Sequence, residues 1–134
     1  MLSGAAEPTF LTVAEVDEIH EEQLELHGGM AGTRDPDALD AAVHMAQQSF
    51  GGTYVHSDLF EMAAAYLFHL CLNHPYVDGN KRTAAETADV FLFMNGYELS
   101  ASEDEYESLL LLVAEHRLSK SQIADFLRLH SASR

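Results

Sequence analysis

Within nine residues, His74 to Arg82, this chain gathers an imidazole, a carboxylate, a carboxamide and two cations: His74-Pro75-Tyr76-Val77-Asp78-Gly79-Asn80-Lys81-Arg82, followed by Thr83-Ala84. An imidazole takes up a proton near neutral pH, so His74 is a candidate general base. A carboxylate beside bound phosphates is the usual protein ligand of Mg2+, which keeps most of its waters, and Asp78 is placed for that role. Gly79-Asn80 leads into an apolar periodic segment, so a helix is expected to start there. The free N–H groups and positive dipole end of a helix start favour an anion. Lys81 and Arg82 add two cations at the same place, which suits a polyphosphate better than a single carboxylate. Taken one at a time, these residues have plainer readings. His74 caps a helix, Asp78 and Asn80 serve as turn and capping residues, and Lys81 and Arg82 belong to a solvated face. Base, metal ligand, anion cradle and cations together describe a nucleotide phosphoryl or nucleotidyl transfer site.

The elements that must position this loop read as helices separated by stop signals. Thr12-Val13-Ala14-Glu15 is a capping box, followed by Val16, Ile19, Gln23 and Leu26 at helical spacing and stopped by Gly28-Gly29. Asp35-Pro36 opens a second helix with Leu39, Ala42, Val43 and Ala46 as its stripe, and Gly51-Gly52 is expected to end it. Thr53 to His56 reads as a short extended flap, too small for a sheet of its own. Asp58 opens a third helix that is apolar nearly all round, as expected at a bundle centre, and Pro75 disfavours its continuation past Asn73. The fourth helix runs from Asn80 to Met94 and stops at Asn95-Gly96. Ser102 to Glu105 and Ser119 to Gln122 are two more capping boxes, each leading into an apolar stripe. The fold expected is all-α, a compact bundle of about six helices with at most a short extended flap. One domain is expected over residues 10–130, with a loose tail over residues 1–9 and another over 131–134.

Composition bounds what such a domain can do. The formal net charge of −15 should repel a phosphate backbone, so nucleic acid is a poor direct partner. No apolar run is long enough for a membrane span, and no signal peptide is visible at the N-terminus. Cys71 is the only cysteine, which rules out an intramolecular disulfide and fits a reducing, cytoplasmic setting. Cys71 and the aromatic set Tyr66, Phe68, Phe91 and Phe93 read as core, and the seven histidines other than His74 as structural or exposed.

The loop resembles the Fic/Doc signature, His-x-Phe-x-Asp/Glu-Gly/Ala-Asn-Gly/Lys-Arg, in the form of its Doc (death-on-curing toxin) branch. His74, Asp78, Asn80, Lys81, Arg82, Thr83 and Ala84 match that form, while Tyr76 stands for the usual phenylalanine. The Gly28-Gly29 turn, the Asp35-Pro36 and Asp58 helix starts and the Phe91 to Gly96 exit are also similar to Doc proteins, across residues 10 to 130 or so. The resemblance implies a toxin that uses ATP and Mg2+ to phosphorylate a Ser/Thr hydroxyl of a protein, with translation elongation factor Tu as substrate and translation inhibition as outcome. It makes His74 the base and Asp78 the metal ligand, with Gly79, Asn80, Lys81 and Arg82 holding the phosphates. The adenylyltransferases of the Fic branch have glycine where Lys81 stands and a second arginine where Ala85 stands, so this chain is similar to the kinase branch at both positions. AMP transfer is the alternative, and a catalytically silent nucleotide- or antitoxin-binding module is the second. The family's inhibitory motif, Ser/Thr-x-x-x-Glu followed by Gly or Asn, is incomplete here, because Met62 follows Ser57 to Glu61. Inhibition is therefore expected in trans, from an antitoxin.

Overall fold

The computed structural model describes residues 7–134. Its elements run α1 (Val13–His27), α2 (Pro36–His44), a 3-10 turn (Met45–Gln47), β1 (Ser49–Phe50), β2 (Thr53–Tyr54), α3 (Leu59–Asn73), α4 (Asn80–Met94), β3 (Tyr97–Leu99), α5 (Glu103–Ala114), α6 (Lys120–Leu129) and β4 (Ser131–Ser133). The expected all-α bundle is the fold observed. Every helix start read from the sequence is present: Thr12, Asp35, Asp58, Ser102 and Ser119 each accept a backbone N–H with their side chain, and Gly79 precedes α4.

The centre of the bundle is α3, which packs against α2, α4, α5 and α6. Met62 through Leu67, with Leu70 and Cys71, are all buried. This follows from a helix with no polar face: whichever way it turns, it must be covered. Fully burying an aliphatic or aromatic side chain of this size contributes about 1.5–3 kcal/mol, and Tyr66, Phe91, Leu67, Leu70 and Leu92 are all fully buried. The Tyr66 hydroxyl reaches the Leu11 N–H at 2.9 Å, pinning the start of the domain to its core.

Several expectations need correction. The inward face of α1 is Val16, His20 and Gln23, whereas Leu26 is 67% exposed in a last turn beyond the packed part of the helix. Gly51-Gly52 does not end α2, which closes at His44; both glycines have positive φ and form the tip of a hairpin. The flap is that hairpin, with Ser49 opposite Tyr54 and Phe50 opposite Thr53, rather than one extended segment over Thr53 to His56. His56 has already turned inward and is buried. Phe93 is not core: it is half-exposed, with the Arg134 guanidinium 3.7 Å from its ring centre. The last residues do not trail off, because β4 pairs antiparallel with β3 from Leu99–Ser131 to Tyr97–Ser133. Single-strand periodicity cannot reveal such a pair when each strand has three residues. At the other end, Thr9 is tied to the Asn95 carboxamide, and the rest of the expected tail, residues 1–6, lies outside the described residues.

Candidate active site

Tyr76 anchors the loop between α3 and α4. Its ring is 2% exposed, and a buried phenol needs a partner for its hydroxyl. Asp17 on α1 accepts that O–H at 2.6 Å. Burial first, and the Asp17 carboxylate second, push the phenol pKa upward, so the hydroxyl stays protonated. On the ring lies the His20 imidazole, parallel to within 5° with centroids 3.7 Å apart. His20 Nε2 sits 2.8 Å from the Asp78 carbonyl oxygen. A carbonyl only accepts, so Nε2 carries the proton. One α1 face thus holds both the anchor and the residue before Gly79. The inward direction of His20 was legible from its spacing to Val16, but its bond to a loop carbonyl 58 residues away was not.

The loop is closed internally by Asn80. Its Oδ1 accepts the Tyr76 N–H and its Nδ2 donates to the Tyr76 carbonyl, both at 2.9 Å. Asn80, expected among the phosphate-holding residues, thus has its side chain engaged within the loop. The carboxamide braces the turn, and its backbone N–H at the helix start is what remains for an anion. From the other side, residues 32–35 pair with the loop: Val77 N–H donates to Gly32 O, Thr33 bridges Tyr76, and both Arg34 and Asp35 N–H groups donate to Pro75 O.

Asp78 is exposed, with its carboxylate held by two backbone donors, Gly79 N–H at 3.2 Å and Met30 N–H at 3.1 Å. Each oxygen keeps a lone pair for a cation. Gly29 allows this approach: at φ +127°, a Cβ there would stand 2.9 Å from Leu24 Cδ2 and 3.2 Å from Asp78 Oδ2. The Gly28-Gly29 turn is therefore part of the site's geometry as well as a helix stop.

Gly79, at φ +78°, begins α4 without a side-chain cap, alone among the six α-helices of the described residues. The Asn80, Lys81 and Arg82 N–H groups are therefore left for a ligand. Lys81 and Arg82 are exposed, and among the described residues neither side chain makes an ion pair or hydrogen bond. The other cations are all engaged: Arg34 and Arg134 on carbonyls, Arg117 and Arg128 on carboxylates, Lys120 on two imidazoles. In a chain of charge −15, two cations that among the described residues have no carboxylate partner, beside an uncapped helix start, are the chemistry an anion would need. Lys81 also acts on Cys71, whose thiol pKa is raised by burial and partly lowered by the lysine charge.

His74 is the C-cap of α3, exposed, and held in the left-handed conformation at φ 46°, ψ 54°. The signature residues thus separate into an inward scaffold (buried Pro75 and Tyr76 and the half-buried Asn80) and an exposed set (His74, Asp78, Lys81, Arg82) on one short turn. Glu61, by contrast, accepts the Ser57 N–H and hydroxyl at the opposite end of α3, about 20 Å from His74 at 1.5 Å per residue. Concavities of 390 Å³ between α5 and α6 and 210 Å³ between α1 and α4 contain no residue of the loop. No group of three or more His, Cys, Asp or Glu side chains converges as a metal cage among the described residues. A Mg2+ ion held by one carboxylate, phosphates and waters needs none.

The model of the Fic/DOC family matches residues 10–92, more than half of the chain. The chain is 34% identical over 110 residues to "Protein kinase doc" of Escherichia phage P1, covering 82% of this chain and 86% of that protein. It is 41% identical over 99 residues to "Toxin Doc" of Mycolicibacterium smegmatis, covering 72% of this chain and 76% of that one. The family match spans the braced loop and α1 to α3 that hold it, and the chain belongs to the Fic/DOC family.

Proposed function

We propose that this protein is a Doc-like toxin that transfers the terminal phosphoryl group of ATP to a Ser/Thr hydroxyl of a protein target. Translation elongation factor Tu is the first candidate target. The observation that carries this reading is the uncapped α4 start with two unpaired cations, set one short turn from an exposed imidazole. His74 accepts the proton of the incoming hydroxyl. Asp78, with both oxygens steadied by backbone donors, holds Mg2+. The Lys81 and Arg82 side chains and the Asn80, Lys81 and Arg82 N–H groups hold the phosphates and offset charge developing in transfer. Bound ATP with Mg2+ supplies the transferable group and the metal's share of charge neutralisation. The exposure of His74, Asp78, Lys81 and Arg82 suits a protein substrate, whose own bulk excludes water from the turn.

Support for phosphoryl rather than AMP transfer comes from two positions. Lys81 fills the place where the adenylyltransferase branch has glycine. Ala85, where that branch has its second arginine, is buried, and its carbonyl accepts the Tyr106 hydroxyl at 2.7 Å. With Glu61 committed to Ser57 far from the site, control is assigned to an antitoxin in trans.

The deciding experiment incubates protein and candidate targets with ATP labelled at the alpha or the gamma phosphate. Gamma label on the target supports the reading, alpha label moves the chain to AMP transfer, and no label on any target leaves a silent binding module. His74→Ala is expected to lower transfer by about 10²–10⁴-fold with unchanged thermal melting. Wild-type transfer by that variant would remove His74 from the mechanism.

A further inference from the structure

We propose that Arg34 is the positioning residue for His74: its guanidinium caps α3 from outside the helix and holds the base in its left-handed conformation. The other five α-helices close by donating a cap N–H back into the helix, whereas α3 has no such closure. Its terminal carbonyls are met instead from 40 residues away. Arg34 Nε donates to His74 O at 2.8 Å and Arg34 Nη2 to Asn73 O at 3.1 Å. The backbone N–H groups of Arg34 and Asp35 take Pro75 O at 2.8 and 3.0 Å. Three consecutive carbonyls, those of Asn73, His74 and Pro75, are thereby fixed by one short segment.

The arrangement answers a specific difficulty. A histidine at positive φ is strained and stays there only if its surroundings over-determine it. Pro75 keeps α3 from continuing but does not choose the left-handed conformation. The fork does, because it ties the carbonyls on either side of the His74 Cα to one rigid plane. A cation is also favoured at a helix C-terminus. Among the described residues Arg34 has no carboxylate partner, although the chain has 22 acidic residues. Lysine offers a point charge and not a fork, so it cannot replace the geometry.

The inference rests on His74 being the base of the proposed transfer, and its test separates the two. Arg34→Met and Arg34→Lys are compared with wild type in two measurements. The first is gamma-phosphoryl transfer to elongation factor Tu. The second, made without nucleotide, is the amide order parameter of His74 by NMR relaxation. A loosened base misplaced by about 1 Å loses on the order of 100-fold in turnover. Arg34→Met is therefore expected to lower kcat by about that factor with little change in the KM for ATP, which Lys81, Arg82 and α4 hold independently. The His74 order parameter is expected to fall from about 0.85 toward 0.6, and Arg34→Lys to recover little of either. An unchanged order parameter in Arg34→Met overturns the inference, as does full recovery by lysine or a loss confined to the KM for ATP. Should Arg34→Met melt below the assay temperature, Arg34→Lys alone decides on the same readings. Should the wild-type protein transfer nothing, the proposed function fails, and the order parameter still decides whether Arg34 holds His74.

Discussion

Changing Asn80 to aspartate alters one atom of the loop brace and tests whether the carboxamide serves the fold or the ligand. The retained oxygen still accepts the Tyr76 N–H. At the Nδ2 position, however, a donor 2.9 Å from the Tyr76 carbonyl becomes an anionic oxygen facing another oxygen. Losing that bond costs about 0.5–1.5 kcal/mol, and a buried carbonyl left without a partner costs about 1–3 kcal/mol. A carboxylate in the first turn of α4 returns about 0.3–1 kcal/mol through the helix dipole. The net expectation is a loss of about 1–3 kcal/mol, or roughly 4–10 °C in Tm for a domain of this size. Asn80→Ala, which removes both bonds, should lose about 2–4 kcal/mol. Urea denaturation without nucleotide is the assay, because it isolates the brace from any contact with phosphate. If both variants unfold within about 0.5 kcal/mol of wild type and lose activity only, the brace reasoning is wrong and the carboxamide belongs to the ligand.

Other expectations follow from particular contacts. Tyr76→Phe removes the 2.6 Å bond to Asp17 and should cost about 1–2 kcal/mol, a bond to a charged, half-buried partner. Transfer should persist, since phenylalanine is the family's usual residue, and lost activity in a folded variant would contradict the anchor role. Gly29→Ala should impair transfer by pressing on Asp78, whereas Gly28→Ala, equally strained but with nothing within 4 Å of its Cβ, should not. Equal activity in the two variants would refute the contact. The His69 pKa is pushed down to about 4, first by burial, then by the Lys120 ammonium and His56. Because its neutral form is the native one, its contribution to stability is present above the ordinary 6.5 and lost as pH falls toward about 4. His69→Gln should therefore lose less stability than wild type between pH 7 and 5, by on the order of 1 kcal/mol after allowing for its partial exposure. Parallel urea-melt profiles would exclude this.

The helix starts were legible because each rests on a local device: a hydroxyl or carboxylate cap, a glutamate or glutamine three residues on, a glycine before Asn80. The central place of α3 was legible because a helix without a polar face has one solution. What could not be read was anything decided by distant pairing. The β3–β4 ribbon joins residues 32 to 36 positions apart along strands of three residues, too short for an alternation signal. The hairpin tip at Gly51-Gly52 was mistaken for a helix stop because two glycines mark either equally well. In the candidate site, His74, Asp78, Lys81 and Arg82 stood out in the sequence because their types suit the proposed chemistry. His20 and Arg34 were missed because each acts on a backbone carbonyl of the loop, a partner that leaves no complementary residue type in the sequence.

This division bears on why the loop has so rigid a pattern. Chemistry alone asks for an imidazole, a carboxylate and cations on one surface, and many spacings would supply them. The spacing is set by the scaffold. Asn80 must stand four residues after Tyr76 for one carboxamide to span that residue's N–H and carbonyl. Gly79 must precede it, because the turn into α4 passes through positive φ beside His20. Tyr76 must be a flat ring, to fill the slot against the imidazole. With those three fixed, the exposed positions have no freedom left: Asp78 falls between ring and glycine, Lys81 and Arg82 in the first turn of α4, His74 at the end of α3. Substitutions that break the loop's form at the scaffold positions should therefore lose stability and activity together, a ring-preserving Tyr76→Phe stability alone, and those at the exposed positions activity alone. The form of the loop is thus constrained by folding as well as by the proposed chemistry.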